Sequence, residues 1–213
     1  MMKCGRFLKR HGGKKLEQMA VAAGDLYRRS NPTGLQRVFI GIPVDKQSQR
    51  LINKLLKPLK ESPTDIRWVP ENNRHLTLAF LGDTAKSEID SLIQTFDTTY
   101  QRRSCFHYRL SGLSRFPNAS GRIIALSGQP VEPLEEIYQV TRKLLDKNRI
   151  DFDQKSFRPH ITLARIRKAR PVKTAFDQHT DISLDITSVV LYQSMLNSTG
   201  SIYSRLKETK LAQ

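Results

Sequence analysis

The sequence predicts an α+β fold made of two pseudo-symmetric lobes. Three observations predict it. Short runs rich in β-branched residues are mixed with helical-period segments, without strict β-α-β alternation. A pattern of strand, helix and strand recurs at an offset of 85 residues. The second strand of each copy opens with the same four-residue signature, His-x-Thr-Leu, at His75 and at His160.

Taken in order, the first strand is Arg37-Val-Phe-Ile-Gly-Ile-Pro43, ended by proline. Asp45 is placed to cap a helix in which Leu51, Ile52, Leu55, Leu56 and Leu59 recur at helical spacing. An extended piece, Ile66-Arg-Trp-Val69, leads into Pro70, and the strand His75-Leu-Thr-Leu-Ala-Phe80 is expected to stop at Gly82. Ile89, Leu92, Ile93 and Phe96 mark a second helix, and Phe106, Tyr108 and Leu110 alternate as in a half-buried strand. The second half offers a strand at Arg122-Ile-Ile-Ala-Leu126 and a helix with Leu134, Ile137, Thr141 and Leu144 on one face. Then come the strand His160-Ile-Thr-Leu-Ala-Arg165 and two further strands at 184–193 and 201–207.

The repeat is ungapped. Shifted by 85 residues, Arg37-Val38 falls on Arg122-Ile123, Ile52 on Ile137, Leu55 on Val140, Leu59 on Leu144, and His75-Leu-Thr-Leu-Ala79 on His160-Ile-Thr-Leu-Ala164. Chance gives one apolar match easily, but not a strand start, a helix face and a five-residue motif at one offset. Two copies do not make a solenoid. They predict two related sheets facing each other across a cleft.

The bulk numbers set bounds. The chain of 213 residues carries 36 Lys and Arg against 20 Asp and Glu, a net charge of +16 that favours a polyanionic partner, nucleic acid or a phosphorylated ligand. Residues 1–36 hold eight of the basic residues against Glu17 and Asp25. They read as a basic N-terminal extension without a fold of its own, ahead of a two-lobed domain at 37–213. No apolar run is long enough for a transmembrane helix, and residues 1–36 lack the apolar stretch of a secretory signal. Cys4 and Cys105 are far apart and in no metal-ligand spacing. This argues against a disulfide scaffold or a zinc ribbon and suits a reducing compartment. The expectation is a cytoplasmic protein that makes no use of a membrane and works as a monomer.

In a strand, residues i and i+2 share a face. His75 and Thr77 therefore project together, with Leu76 and Leu78 on the apolar side; His160 and Thr162 repeat the arrangement over Ile161 and Leu163. Two imidazoles and two hydroxyls around one small ligand suit phosphodiester cleavage. An unperturbed imidazole titrates near pH 6.5, so one ring can take a proton from water while the other gives one to the leaving oxygen. Threonine hydroxyls can donate to the non-bridging oxygens. No His-Glu-x-x-His, Asp cluster or Cys pair is present, so no metal and no other cofactor is expected.

At these residues the chain resembles the two-histidine phosphoesterases, and most closely their bacterial and archaeal branch, the RNA 2′,3′-cyclic phosphodiesterases also called 2′-5′ RNA ligases. The matching pieces are Arg37–Pro43, Trp68-Val-Pro70, His75-Leu-Thr-Leu-Ala-Phe-Leu-Gly82, Phe157-Arg-Pro-His-Ile-Thr-Leu-Ala-Arg165 and Leu191-Tyr-Gln-Ser194. The resemblance implies two lobes, each an antiparallel-rich sheet with helices on its outer side. It implies that His75 is the general acid and His160 the general base, that Thr77 and Thr162 hold phosphate oxygens, and that RNA 3′ ends bearing a cyclic phosphate become 2′-phosphate ends. It also implies a phosphate-binding role for Arg165, although a regular strand would point Arg165 away from His160. Reversal of the chemistry would join RNA ends through a 2′-5′ linkage.

Other residues are weaker candidates. Arg158 lies before Pro159 at the expected cleft rim, where it either touches substrate or merely lines the edge. Arg37 and Arg122 begin equivalent strands and read as solvated, and His107 reads as a surface histidine. Trp68 either stacks on a base or anchors the core. Two alternative functions stay open: a phosphodiesterase for small cyclic or 2′-5′-linked nucleotides, which the same site chemistry would serve, and a non-catalytic RNA-binding module whose cleft only grips phosphates.

Overall fold

In the computed structural model the described residues are 34–61, 66–167, 177–197 and 200–213. The expected basic extension, apart from its last residues, lies outside them. Among the described residues, nine strands and three α-helices follow in the order β1 (Gln36–Pro43), α1 (Lys46–Lys60), β2 (Ile66–Trp68), β3 (His75–Thr84), α2 (Lys86–Tyr100), β4 (Phe106–Phe116), β5 (Ile123–Ser127), α3 (Glu132–Lys147), β6 (His160–Ile166), β7 (Gln178–Ile186), β8 (Ser188–Asn197) and β9 (Gly200–Lys210). Helices and antiparallel strands are mixed, as the sequence predicts.

The strands run in the spatial order β7-β4-β5-β6-β3-β1-β8-β9, with β2 also paired to β6. The order is palindromic under the repeat: β6 corresponds to β3 and β5 to β1. Each half-sheet is completed by strands from elsewhere in the sequence, the C-terminal β8–β9 hairpin on β1, and β4 with β7 on β5. The lobes are therefore not the two halves of the chain. Nor are their sheets separate, because β3 and β6 pair at one position, Leu76↔Ile161, and are continuous there.

Two strand expectations change. Residues 184–193 form two strands, β7 ending at Ile186 and β8 starting at Ser188. Apolar alternation runs through the break at Thr187 and hides it, and most of β7 is an amphipathic strand with exposed polar residues. Strand β3 does not stop at Gly82 but continues to Thr84. Gly82 takes φ +74° and sits at a bulge where the pairing skips Leu81, a conformation that glycine adopts without penalty.

The three helices feed one core. Asp45 caps α1 as expected, accepting from the backbone N–H of Gln47 and Ser48. Ile52 and Leu56 of α1, Leu92 and Phe96 of α2, and Leu134 and Leu145 of α3 are buried with the sheet residues Ile40, Leu76, Leu78, Leu126, Ile161 and Leu163. Burying side chains of this size stabilises by roughly 1.5–3 kcal/mol each. Helix α1 packs on β7, and α3 packs on β3 and α2, so the helices that follow the repeated strands cross to the other half. Leu76, Leu78, Ile161 and Leu163 thus face the helices, and the opposite side of the sheet is left open for polar residues.

Candidate active site

The Leu76↔Ile161 pairing sets the geometry of the candidate site. Extending this antiparallel register by one residue each way brings His75 opposite Thr162 and Thr77 opposite His160. All four side chains leave the open face, half-buried, while their neighbours Leu76 and Ile161 are fully buried. The histidines occupy one diagonal of this group, with Cα atoms roughly 8 Å apart by standard strand dimensions. They also sense each other electrostatically, His160 contributing to the lowered pKa of His75.

Both rings are held alike. His75 Nδ1 lies 2.8 Å from the carbonyl oxygen of Asn73, and His160 Nδ1 lies 2.7 Å from that of Arg158. A carbonyl can only accept, so Nδ1 carries hydrogen in both rings and Nε2 is left for chemistry. The partner is residue i−2 in each case, another consequence of the repeat.

The packing around the rings differs. His75 lies among Phe39, Tyr192 and Tyr203, with ring centroids at 4.5, 5.9 and 5.3 Å. Gly41 permits this, since a Cβ there would lie 3.3 Å from His75 Cδ2 and 2.9 Å from the Leu76 carbonyl oxygen. His160 stacks on Phe116 at 3.9 Å. Burial lowers the pKa of both imidazoles, that of His75 to about 4, despite the opposing hydrogen bonds to carbonyls. The guanidinium groups of Arg158 and Arg165 lower that of His160 further.

Arg165 reaches the open face because β6 is bulged. The pairing with β5 runs Ile124↔Ala164 and then Ala125↔Thr162, leaving Leu163 as the extra residue. Leu163 and Ala164 are both buried in succession, and alternation resumes with Arg165 exposed. Strand β3 is bulged at the equivalent place, Leu78 lying between Ala79 and Thr77 in the pairing with β1. There the exposed side chain is Phe80, with the Arg37 guanidinium 4.8 Å from its ring centroid. Arg158 is exposed, donates to the Pro117 carbonyl at 2.8 Å and lies 4.7 Å from the centroid of Phe116. Its backbone and side chain thus both bear on the His160 ring.

Other contributors could not be placed at the site from the sequence. Phe39, Tyr192, Tyr203 and Phe116 come from four strands, and only sheet order brings them to the histidines. Arg74, 4% exposed, donates through Nη1 to Gln49 and Asn53 of α1 and so ties the residue before His75 to a helix. Trp68 is partly buried against the core, with Lys60 Nζ 5.8 Å from its ring centroid, as the anchoring alternative expects. His107 is exposed and bonded to Asp185, a surface histidine as read. Among the described residues no three His, Cys, Asp or Glu converge as metal ligands, and no helix is long and apolar enough to cross a membrane.

The family model for the 2′-5′ RNA ligase superfamily matches residues 41–196. An RNA 2′,3′-cyclic phosphodiesterase of Thermotoga maritima is 27% identical over 176 residues, covering 81% of this chain and 94% of that protein. One of Aquifex aeolicus is 26% identical over 191 residues, covering 81% and 95%. Among solved structures, E. coli LigT in its apo form superposes with a TM-score of 0.70 at 26% identity, covering 85% of this chain and all of that one.

Proposed function

The chain belongs to the 2′-5′ RNA ligase superfamily, and from that premise we propose that it hydrolyses 2′,3′-cyclic phosphate ends of RNA to 2′-phosphate ends. The observation that carries the proposal is the diagonal of two imidazoles, each fixed in the Nδ1–H tautomer, with a threonine hydroxyl opposite each. Relatives named RNA 2′,3′-cyclic phosphodiesterase, matched over almost their whole length, support the substrate.

In this reading the phosphate sits over the Leu76–Ile161 pair. His160, neutral at Nε2, takes a proton from water as its oxygen attacks phosphorus. The P–O3′ bond breaks, and His75 delivers a proton to O3′. Each transfer contributes roughly 10²–10⁴ in rate. Thr77, Thr162 and Arg165 donate to the non-bridging oxygens, where charge grows. Arg158 acts mainly by holding His160 through its carbonyl oxygen and Phe116. The low pKa of His75 in the free site means that its proton arrives with the substrate, whose anionic phosphodiester favours the imidazolium. No step needs a metal ion. The basic net charge favours RNA over a mononucleotide through its contribution to phosphate binding.

The test is incubation with an RNA ending in a 2′,3′-cyclic phosphate, in excess EDTA, with the product assigned by ³¹P NMR. A 2′-phosphate end, formed much faster from the oligonucleotide than from the cyclic mononucleotide, is expected. A 3′-phosphate product, or activity that returns only with added metal, contradicts the mechanism; a strong preference for the mononucleotide contradicts RNA as substrate.

A further inference from the structure

Strand β2 has only three residues, yet it sets a second guanidinium beside Arg165. Arg67 pairs directly with Arg165 across the β2–β6 ladder, and directly opposed residues share a face. Trp68 turns the other way, towards the core, so Arg67 stands exposed on the open face of the sheet. Like charges opposite one another on neighbouring strands repel. An anion held over the pair relieves that repulsion and gives each guanidinium a charge-assisted contact.

The position of Arg67 relative to the histidines is fixed on two sides. Along β6, His75 stands opposite Thr162 and Arg67 opposite Arg165. Both therefore lie on the same flank of β6, with Cα atoms roughly 10 Å apart by strand rise. On its other side the Arg67 guanidinium lies directly on the β8–β9 hairpin, where a Cβ at Gly200 would come within 1.9 Å of Nη2. The next residue, Ser201, accepts at its carbonyl oxygen from Asn73 Nδ2 at 2.6 Å, and the carbonyl of Asn73 in turn holds His75 Nδ1. Arg67 thus belongs to the His75 side of Arg165. Phe116, on which His160 stacks, comes from β4 beyond the opposite edge of β6.

In the reaction proposed above, the leaving O3′ and its ribose are at His75. In an RNA strand that ribose carries one further charged substituent, the phosphodiester on its O5′. Arg165 serves the scissile phosphate, and Arg67 is the neighbouring cation on the ribose side. A cyclic phosphate of a lone nucleoside has nothing to offer it.

We propose that Arg67 forms a subsite for the phosphodiester one nucleotide upstream of the cyclic end, and so makes the site prefer a strand end to a mononucleotide. The inference rests on the proposed reaction, with O3′ leaving at His75.

The experiment uses the full chain and four substrates. They are adenosine 2′,3′-cyclic phosphate, its 5′-phosphorylated form, the dinucleotide ApA ending in the cyclic phosphate, and the same dinucleotide with an uncharged methylphosphonate linkage. The native dinucleotide should exceed the unphosphorylated mononucleoside in kcat/KM by about tenfold or more, as expected of a charge-assisted contact. The methylphosphonate dinucleotide should lose that gain. Arg67→Gln keeps a side chain over Gly200 without the charge. It should lose the gain too, chiefly through KM, treat the two dinucleotides alike, and hydrolyse the unphosphorylated mononucleoside as the wild type does. Arg67→Lys should retain part of the gain, since an ammonium lacks the bidentate fork. Equal rates for the two dinucleotides in the wild type overturn the proposal, a comparison that needs no variant to fold. So does a gain that survives intact in Arg67→Gln, or one shown by the 5′-phosphorylated mononucleoside and not by the dinucleotide. If no substrate is hydrolysed, the proposed reaction fails instead. Calorimetry with the two dinucleotides then decides the subsite: tighter binding of the native one by wild type, and equal binding by Arg67→Gln, supports it, and equal binding by wild type overturns it.

Discussion

Arg165 projects from the same face of β6 as His160, although it lies five positions further along and a regular strand would set the two on opposite faces. The extra residue Leu163 makes the difference. An exposed guanidinium beside an imidazole weakens that imidazole's hold on a proton and offers two parallel donors to a phosphate.

Arg165→Ala should therefore do two things. It should lower kcat/KM on the order of 10²-fold without lowering the melting temperature, because the side chain is exposed. It should also raise the pKa of His160, which the nearby cation depresses, as read from ring proton shifts against pH. Arg165→Lys should recover only part of the activity, since an ammonium cannot make the bidentate contact. Activity within twofold of wild type in the Ala variant would remove Arg165 from the site.

The threonines carry a symmetric prediction. Thr77→Val and Thr162→Val keep shape and strand propensity while removing one donor each. Each should reduce kcat by about 10–10²-fold and leave KM nearly unchanged, because the hydrogen bond strengthens as charge grows on the phosphate oxygens. A rise in KM alone would mean that the hydroxyls hold the ground state only.

The pH dependence of kcat/KM should be displaced to the acid side. Both imidazoles titrate below 6.5 in the free protein, His75 at about 4. The active form holds one proton between them, so the bell has its maximum below pH 6.5 and falls as pH rises. A plateau extending above pH 7.5 in kcat/KM would show that the free site does not depress the pair.

Stability should depend on pH through the same burial. The folded-state pKa of His75 lies below its unfolded value, so the unfolded chain binds more protons between pH 6.5 and about 4. The stability owed to neutral His75 is complete above pH 6.5 and is lost as pH falls through that window, on the order of 3 kcal/mol in all. Urea unfolding at pH 7 and at pH 4.5 should show a smaller loss for His75→Gln than for wild type. Equal losses would mean that the ring is well solvated.

Much of this was readable in the sequence, for a physical reason. A duplication leaves two copies of one pattern, and two copies fix a register: the 85-residue offset relates β1 to β5, α1 to α3 and β3 to β6. Period-two alternation then puts His75 with Thr77 and His160 with Thr162. What could not be read depends on contacts between distant segments. The sequence places Tyr192 and Tyr203 far from His75, and only the return of the β8–β9 hairpin to β1 brings them there. The bulge at Leu163 has no residue signature, because Leu and Ala both suit a buried strand; it shows only in the pairing with β5. Gly82 misled in the other direction, since a glycine at a bulge and a glycine at a strand end look alike in a sequence.

The central claim, that His75 and His160 act on one phosphorus atom as a pair, is tested most directly by single-turnover hydrolysis with His75→Ala, His160→Ala and the double variant, each checked for native folding. The account predicts that each single substitution costs on the order of 10³-fold or more and that the double variant is hardly slower than the worse single one, because a step that needs both rings is lost when either goes. Losses that multiply in the double variant, or a single variant with near wild-type turnover, would contradict it.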